Sequence, residues 1–467
     1  MKRTLLLGVI VVAGLALLVA PALASAQTFT VHPSGGNDTK AIQKAFDAAV
    51  KAGPGSTVQL SAGHFYTNNI LVKNFDGYFK GAGEGRNGTV IDCLRGLYPT
   101  GTYPDGRPVP GVRVLPHTTY FPFLVGFEGG NVRACDMSFD ITAASPAEPW
   151  SNGDPQNPVD YLLAVVVVAD NASSSFEGVS LTAGGGHDAG CNSDEGVLIT
   201  GFGPYDPVTD AGTAVWTTSG TDSICGCTFE GSSDGVQVMG LTRGRATISG
   251  NVFDNLNLCC MVNDSSASQV TISRNRMSAM YWDDVVLWQG FQAAWGGGAH
   301  LPSLPGSRYL ITDNQMLGTV AAGGVEVRDA SAVEKTPFRL DATISDNTIT
   351  LDNGGWDGGI DGVYAKGVLV SHNRISGTGL AGIDVGSAAS LWGIPSGPDF
   401  GWQLIDNDVS HLTLATQWMD ASNDPIWGAP IWLGTDATDC TVIGGCAPTR
   451  VLDEGTSNHL KNVIVMH

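Results

Sequence analysis

The sequence predicts an all-β fold, a single-stranded right-handed parallel β-helix with a short N-terminal capping α-helix. Three observations predict it. The segments ISGNVF, ISRNRM, ITDNQM, ISDNTI and VSHNRI, between Ile248 and Ile375, fit one template: apolar, two small or polar residues, Asn, any residue, apolar. LIDNDV, ending at Val409, nearly fits it. The asparagines are Asn251, Asn275, Asn314, Asn347, Asn373 and Asn407, separated by 24, 39, 33, 26 and 34 residues, which is the periodicity of a repeat architecture. The segments are rich in Val, Ile and Thr with Gly, Asp and Ser at the bends, and they lack the dense Leu pattern of leucine-rich repeats.

Alternation around each Asn is that of a strand, so the Asn and every second neighbour face one way. A buried Asn needs partners for its amide donors and its acceptor. Stacking the same residue in successive coils supplies them, each amide bonding the next. Met137, Val179 and Cys227 occupy the ladder position in earlier coils, so the ladder is apolar first and Asn afterwards.

Residues 1–26 read as a secretory signal peptide. Lys2 and Arg3 precede an apolar run from Leu5 to Ala20, and Ala24-Ser25-Ala26 supplies a small-residue cleavage site. The expected mature chain, 27–467, is one β-helix domain, secreted to the extracellular space or periplasm, with no membrane anchor after cleavage. Gly is frequent, 62 of 467 residues, as suits several sharp bends per coil. Nine cysteines fit an oxidising compartment. Cys440 and Cys446 are close enough to close a small loop, and Cys227 is expected to be packed or disulfide-bonded.

The chain carries 45 Asp and Glu against 24 Lys and Arg, and 15 of those acids fall between Arg133 and Arg243 with no basic residue among them. Nucleic acid is excluded as a partner on this ground, because phosphate binding needs basic residues.

Asn37-Asp38-Thr39 predicts the start of an amphipathic helix over 37–53 that ends at Gly53-Pro54-Gly55, with Ile42, Phe46, Ala49 and Val50 as its apolar stripe. Short strands follow: STVQL, NNILVKN, YFKGAG and TVID. Residues 93–130 are Pro- and Gly-rich and read as an insertion, and NVRACDMSFDI (131–141) restarts the coils. Asn37–Val50, Gly55–Phe65 and Gly81–Gly83 are similar to the helix, the G-x-T-V strand and the G-x-G turn that open members of the pectin-lyase-like superfamily, which includes pectate lyases and polygalacturonases. That resemblance implies the β-helix fold and an activity on polysaccharides. Ser233-Asp234-Gly235 and Asp283-Asp284 resemble the N-T-D stretch and Asp pair of the polygalacturonases, whose R-x-K motif has no counterpart here.

Seven to twelve residues after each ladder position stands a second strand whose acids recur at one corner: Asp234, Asp283, Asp284, Glu326, Asp361 and Asp384. Coils stack about 4.8 Å apart, so Asp234 and Asp283 are expected roughly 9–10 Å apart, and Asp283 and Glu326 about 5 Å apart. These spacings suit the carboxyl pairs of inverting and retaining glycosidases. Asp283, Asp284, Asp234 and Glu326 are therefore the candidate catalytic residues.

Nine of eleven Trp lie between Trp282 and Trp432, several in Gly-rich or Pro-rich loops, and indole faces stack on sugar rings. Trp282, Trp288, Trp295 and Trp356, with Arg276 and Arg328, are the candidate substrate-binding residues. The loop GGGHDAGCNSDE offers Asp188, Asp194 and Glu195 as oxygen ligands for Ca2+, the one cofactor a β-elimination would need; hydrolysis needs none. The expected partner is a polysaccharide, cleaved by carboxylate-mediated hydrolysis or calcium-assisted β-elimination. The competing expectation is a non-catalytic, glycan-binding, adhesive or filament-forming solenoid.

Overall fold

The computed structural model describes residues 26–67, 70–93, 123–142, 162–169, 171–183, 193–200, 220–232, 234–239, 244–256, 258–263, 269–280, 282–289, 308–319, 323–329, 341–363, 365–386, 399–415, 418–419, 425–426 and 428–466. One coil shows the plan. Gln269–Ser273 lies in a first sheet, the chain bends through Arg274 and Asn275, Arg276–Ser278 lies in a second sheet, and Val285–Gln289 lies in a third. Each strand pairs in parallel with its counterpart one coil on: Ile248↔Ile272↔Ile311 in the first sheet, Phe253↔Met277↔Met316 in the second, Val262↔Leu287↔Val327 in the third. The chain is a right-handed parallel β-helix. Among the described residues the one antiparallel pairing joins Trp418 to Ile426.

The asparagines are buried and point into the turn between the first and second sheets. Asn275 Nδ2 donates to Asn314 Oδ1 at 3.0 Å and to the Ile248 carbonyl at 2.9 Å, while its backbone N–H donates to the same Asn314 oxygen at 3.0 Å. The same set repeats at Asn251, Asn314, Asn347 and Asn373, and Asn407 closes the run as acceptor for Asn373. At the other end Asn251 Oδ1 accepts the Cys227 N–H at 2.9 Å, so Cys227 holds the preceding ladder position. Burial pushes the Cys227 thiol up to about 12.

The residue before each ladder position explains the second polar place of the template. Gly226, Gly250, Arg274, Asp313, Asp346, His372 and Asp406 have φ between 50 and 68°. Gly adopts this left-handed conformation freely and Asp at low cost, whereas a β-branched residue does not.

The interior is filled by the alternate residues of all three sheets, with rings and branched chains stacked coil upon coil. Phe229 and Phe253 stack with centroids 4.9 Å apart, and the row continues with Met277, Met316 and Ile349. Trp402 is fully buried and its indole N–H donates to the Ala365 carbonyl at 3.0 Å.

The helix α1, Thr39–Ala52, covers the first coils with Ile42, Ala45, Phe46 and Ala49. Phe46 packs against Phe75, Phe79 and Phe127 at centroid distances of 5.2, 5.0 and 5.8 Å. Val50, expected in this stripe, lies at its exposed edge. Asp38 does not cap the helix. Its carboxylate accepts the backbone N–H groups of Ser34 and Tyr66, and Asn37 Oδ1 accepts the Thr39 N–H instead. Among the described residues no helix is long and apolar enough to cross a membrane.

Three local readings of the sequence are corrected. The coils resume at 123 rather than 131, because Phe123–Asp140 supplies a third-sheet segment before its first-sheet one. Leu162–Ala169 and Ser193–Thr200 are two further third-sheet strands, and the second begins within the last three residues of the loop expected at 184–195. Cys440 and Cys446 are both free thiols, set on opposite sides of the strand Thr441–Ile443.

One buried carboxyl escaped the sequence reading. Asp222 lies in the inward row of the first sheet, between Ser174 and Ala246. Its Oδ1 accepts the Ser174 hydroxyl at 2.7 Å, and its Oδ2 has no hydrogen-bond partner among the described residues. Burial pushes it from 3.8 up to about 7, with Ser174 partly opposing the shift.

Two predictions follow from these packing facts. Asn314→Ala strips partners from Asn275, Asn347 and the Ile272 carbonyl, and it should lower the urea unfolding free energy by about 3 kcal/mol, since buried unsatisfied groups carry their full desolvation penalty. Folded Asp222 keeps its proton to about pH 7, whereas the unfolded chain releases it near 3.8, so stability falls as pH rises through that window. Asp222→Asn should flatten this slope and raise the unfolding midpoint at neutral pH relative to the parent, read from thermal melts across pH 4–8.

Candidate active site

The third sheet builds the site. Along each of its strands the inward residues are apolar and buried: Val236 and Val238, Val285 and Leu287, Val325 and Val327, Ile383 and Val385. The residue between each inward pair therefore projects from the outer face. Pairing aligns Gln237, the backbone of Met261, Val286, Glu326, Asp361, Asp384 and Trp432 in successive coils. The row turns from apolar to acidic at Glu326 and stays acidic for three coils. Glu326, Asp361 and Asp384 are 4%, 4% and 0% exposed. Coil stacking sets neighbouring row positions about 4.8 Å apart, and Glu326 and Asp384 about 9–10 Å apart.

Three carboxylates at this spacing repel one another unless a cation or a shared proton intervenes. Arg328 supplies a cation. It stands two residues beyond Glu326 on the same strand face, and its Nε lies 2.6 Å from Glu326 Oε1. The Arg328 side chain is 28% exposed and the Glu326 side chain 5%, so the pair reaches solvent through the arginine. The backbone of Trp288 is in register with Arg328 one coil earlier.

Glycines make the corner just before this row. Gly235, Gly324, Gly359 and Gly382 stand two residues before the outward position, and a Cβ on Gly359 would come within 2.7 Å of Ile375 Cγ2 and 2.9 Å of the Gly382 carbonyl. The backbone thus lies directly on the inward side chains, and the repeated G-[VI]-[ED] spelling records it.

The candidate residues divide accordingly. Glu326 and Arg328 are brought together. Asp283 is in register with Gly323, because Val285 pairs with Val325, and its Oδ1 accepts the Gly323 N–H at 2.8 Å. Glu326 is therefore three residues further along, roughly 10 Å from Asp283 along the strand, and the expected separation of about 5 Å does not hold. Asp284 occupies the corner position of the glycines and is 1% exposed, with its carbonyl accepting the N–H groups of Cys259 and Cys260. Asp234 is buried two coils before Asp283 at the same corner, and it pairs with Glu195 on one side and Leu258 on the other. Asp361 and Asp384 join the row although they were not among the candidate catalytic residues.

Trp282 is 41% exposed beside the Asp283 corner, and Arg276 lies exposed on the second sheet, away from the acidic row. Asp188 and Trp295 lie outside the described residues. For Asp194, Glu195, Trp288 and Trp356 the description covers the backbone alone. Among the described residues no group of three or more His, Cys, Asp or Glu is arranged to hold a metal ion.

No protein-family model matches the chain, and no curated protein sequence is similar to it. Solved structures do match. A family 28 exopolygalacturonase of Yersinia enterocolitica superposes with a TM-score of 0.50 at 11% identity, covering 94% of this chain and 78% of that one. A polygalacturonase of Erwinia carotovora gives 0.42 at 12% identity, with 95% of each chain covered. The surface adhesin PfbA of Streptococcus pneumoniae gives 0.43 at 11% identity, covering 95% of this chain and 93% of that one. The fold that this chain shares with them is the parallel β-helix.

The ion pair at the row is testable by a double-mutant cycle. Arg328→Met and Glu326→Gln, singly and together, should give a coupling energy on the order of 1 kcal/mol in urea unfolding, since residues in direct contact do not act additively. A coupling indistinguishable from zero would dissociate the pair.

Proposed function

We propose that the protein is a secreted, polysaccharide-active enzyme that binds an extended glycan along the outer face of the third sheet and hydrolyses it at Glu326, Asp361 and Asp384. One observation carries this reading: three consecutive coils put a carboxyl group at the same outward position, beside a partly open arginine. Hydrolysis of a glycosidic bond needs one carboxylic acid to protonate the leaving oxygen and one carboxylate as nucleophile or base. Neighbours in the row have the spacing of about 5 Å used by retaining enzymes, and Glu326 with Asp384 approaches the upper end of the roughly 6.5–9.5 Å used by inverting ones. Crowding favours a row that keeps a proton among its members, so acid and base can coexist in one site. Arg328 would present a donor to the substrate beside Glu326. Asp283 and Asp234, at the corner of the same sheet, would line the path of the chain rather than attack it. The exopolygalacturonase neighbour acts, by its name, on a polyuronate, which agrees in reaction class.

A second reading is favoured by the complete burial of Asp384. In it, the acidic row is a stacking device like the asparagine ladder, and the protein is a non-catalytic glycan-binding or adhesive solenoid. A calcium-assisted β-elimination would need the Asp188, Asp194 and Glu195 loop.

Turnover separates these. The mature protein, incubated with a polysaccharide panel with and without EDTA, should release reducing ends that do not absorb in the ultraviolet, equally in both conditions. Asp361→Asn should cut that rate by roughly 10²–10⁴-fold, the usual contribution of an acid or base, with little change in thermal unfolding. Ultraviolet-absorbing, EDTA-sensitive products would assign β-elimination instead, and a protein that binds without cleaving would be the solenoid binder.

A further inference from the structure

The outer face of the first sheet carries a groove of its own, on the opposite side of the asparagine turn from the second sheet and away from the acidic row. Its volume is about 710 Å³, and it runs across five coils. The pairing explains its shape. One outward row reads Gln269, Arg308 and Asp341 in successive coils, and the positions that continue it are Gly367 and Gly401. A Cβ on Gly401 would meet nothing within 4 Å. The row thus loses its side chains in these last two coils.

The lining has three kinds of surface. Leu310 gives an apolar floor and is 38% exposed. Phe400 gives a ring, with Lys366 Nζ 5.0 Å from its centroid. Arg308 and Lys366 give two cations against the single acid Asp341, in a chain whose net charge is −21. The chain as a whole is acidic, whereas this lining holds more cations than acids.

We infer that the groove is a second glycan-binding site, separate from the acidic row, that takes an extended anionic polysaccharide. The choice of a sugar polymer rests on the proposed function; the choice of site and of charge rests on the groove alone. An extended pyranose chain advances per ring by a distance similar to the rise per coil of about 4.8 Å, so successive rings meet equivalent rows. Ring faces lie on Leu310 and Phe400, hydroxyls meet the Gln269 amide and the Asp341 carboxylate, and acidic substituents pair with Arg308 and Lys366. A site on another sheet holds the polymer without competing for the acidic row, raising the local concentration of substrate there.

Affinity electrophoresis through gels containing polygalacturonate, with dextran gels as the neutral control, tests this. The parent protein should be retarded by polygalacturonate and not by dextran. Arg308→Gln with Lys366→Gln, and separately Leu310→Asp, should each raise the apparent Kd about tenfold or more. Glu326→Gln with Asp361→Asn should remain retarded, and so should Lys40→Gln with Lys51→Gln, which removes two cations from the capping helix. Circular dichroism melts check that each variant is folded. No retardation of the parent, equal loss in the helix variant, or loss only in the acidic-row variant would overturn the inference. Failure here with cleavage of neutral glycans intact would leave the proposed function standing. Retention in these gels without turnover of any polysaccharide would remove the enzyme and leave the groove.

Discussion

Coil-on-coil stacking is the constraint from which the rest of the structure follows. Each residue of the solenoid has its counterpart about 4.8 Å above and below, so any side chain placed at a repeated position must be compatible with copies of itself. The asparagine amide meets that condition well. It offers donor and acceptor together, and in each coil its Nδ2 serves the next Asn while its Oδ1 serves the previous one. The backbone N–H beside it is satisfied by the same oxygen. A buried polar turn, which would be costly alone, becomes cheap when repeated.

A carboxylate does not meet that condition. It accepts but does not donate when ionised, so a stack of Glu326, Asp361 and Asp384 has no internal solution of the kind the amides have. It needs protons, cations or a ligand, and Arg328 stands against Glu326. Local stability and repetition conflict here, and such conflicts concentrate at functional sites. Asp222 is a smaller instance on the inner side, where a carboxyl between Ser174 and Ala246 is kept neutral by burial instead.

The two outer faces differ in charge for reasons of register. On the third sheet, the corner residues are glycines because Ile349, Ile375 and Val409 press against them, and the acids two residues later stand in line. On the first sheet, the row through Arg308 ends at Gly367 and Gly401, leaving Lys366 and Phe400 to flank an open groove.

Much of this was legible in the chain itself. The Asn template has a spelling that survives loops of different length, because the ladder and the left-handed residue before it tolerate few alternatives. The helix stripe Ile42, Phe46 and Ala49 was equally plain, and so was the recurrence of acids at one corner. What could not be read was which acid faces which. Asp283 and Asp284 drew attention as an adjacent pair, yet one bonds the Gly323 N–H and the other sits at the corner reserved for glycine. Asp361 and Asp384 were read at the same corner as Glu326 but not in the catalytic set, and strand pairing sets them in line with it. Periodicity belongs to the sequence because every coil obeys the same local rules. Alignment between coils belongs to the tertiary structure, because a shift of one residue sends a side chain to the other face of its sheet, and only the packed backbone decides that shift.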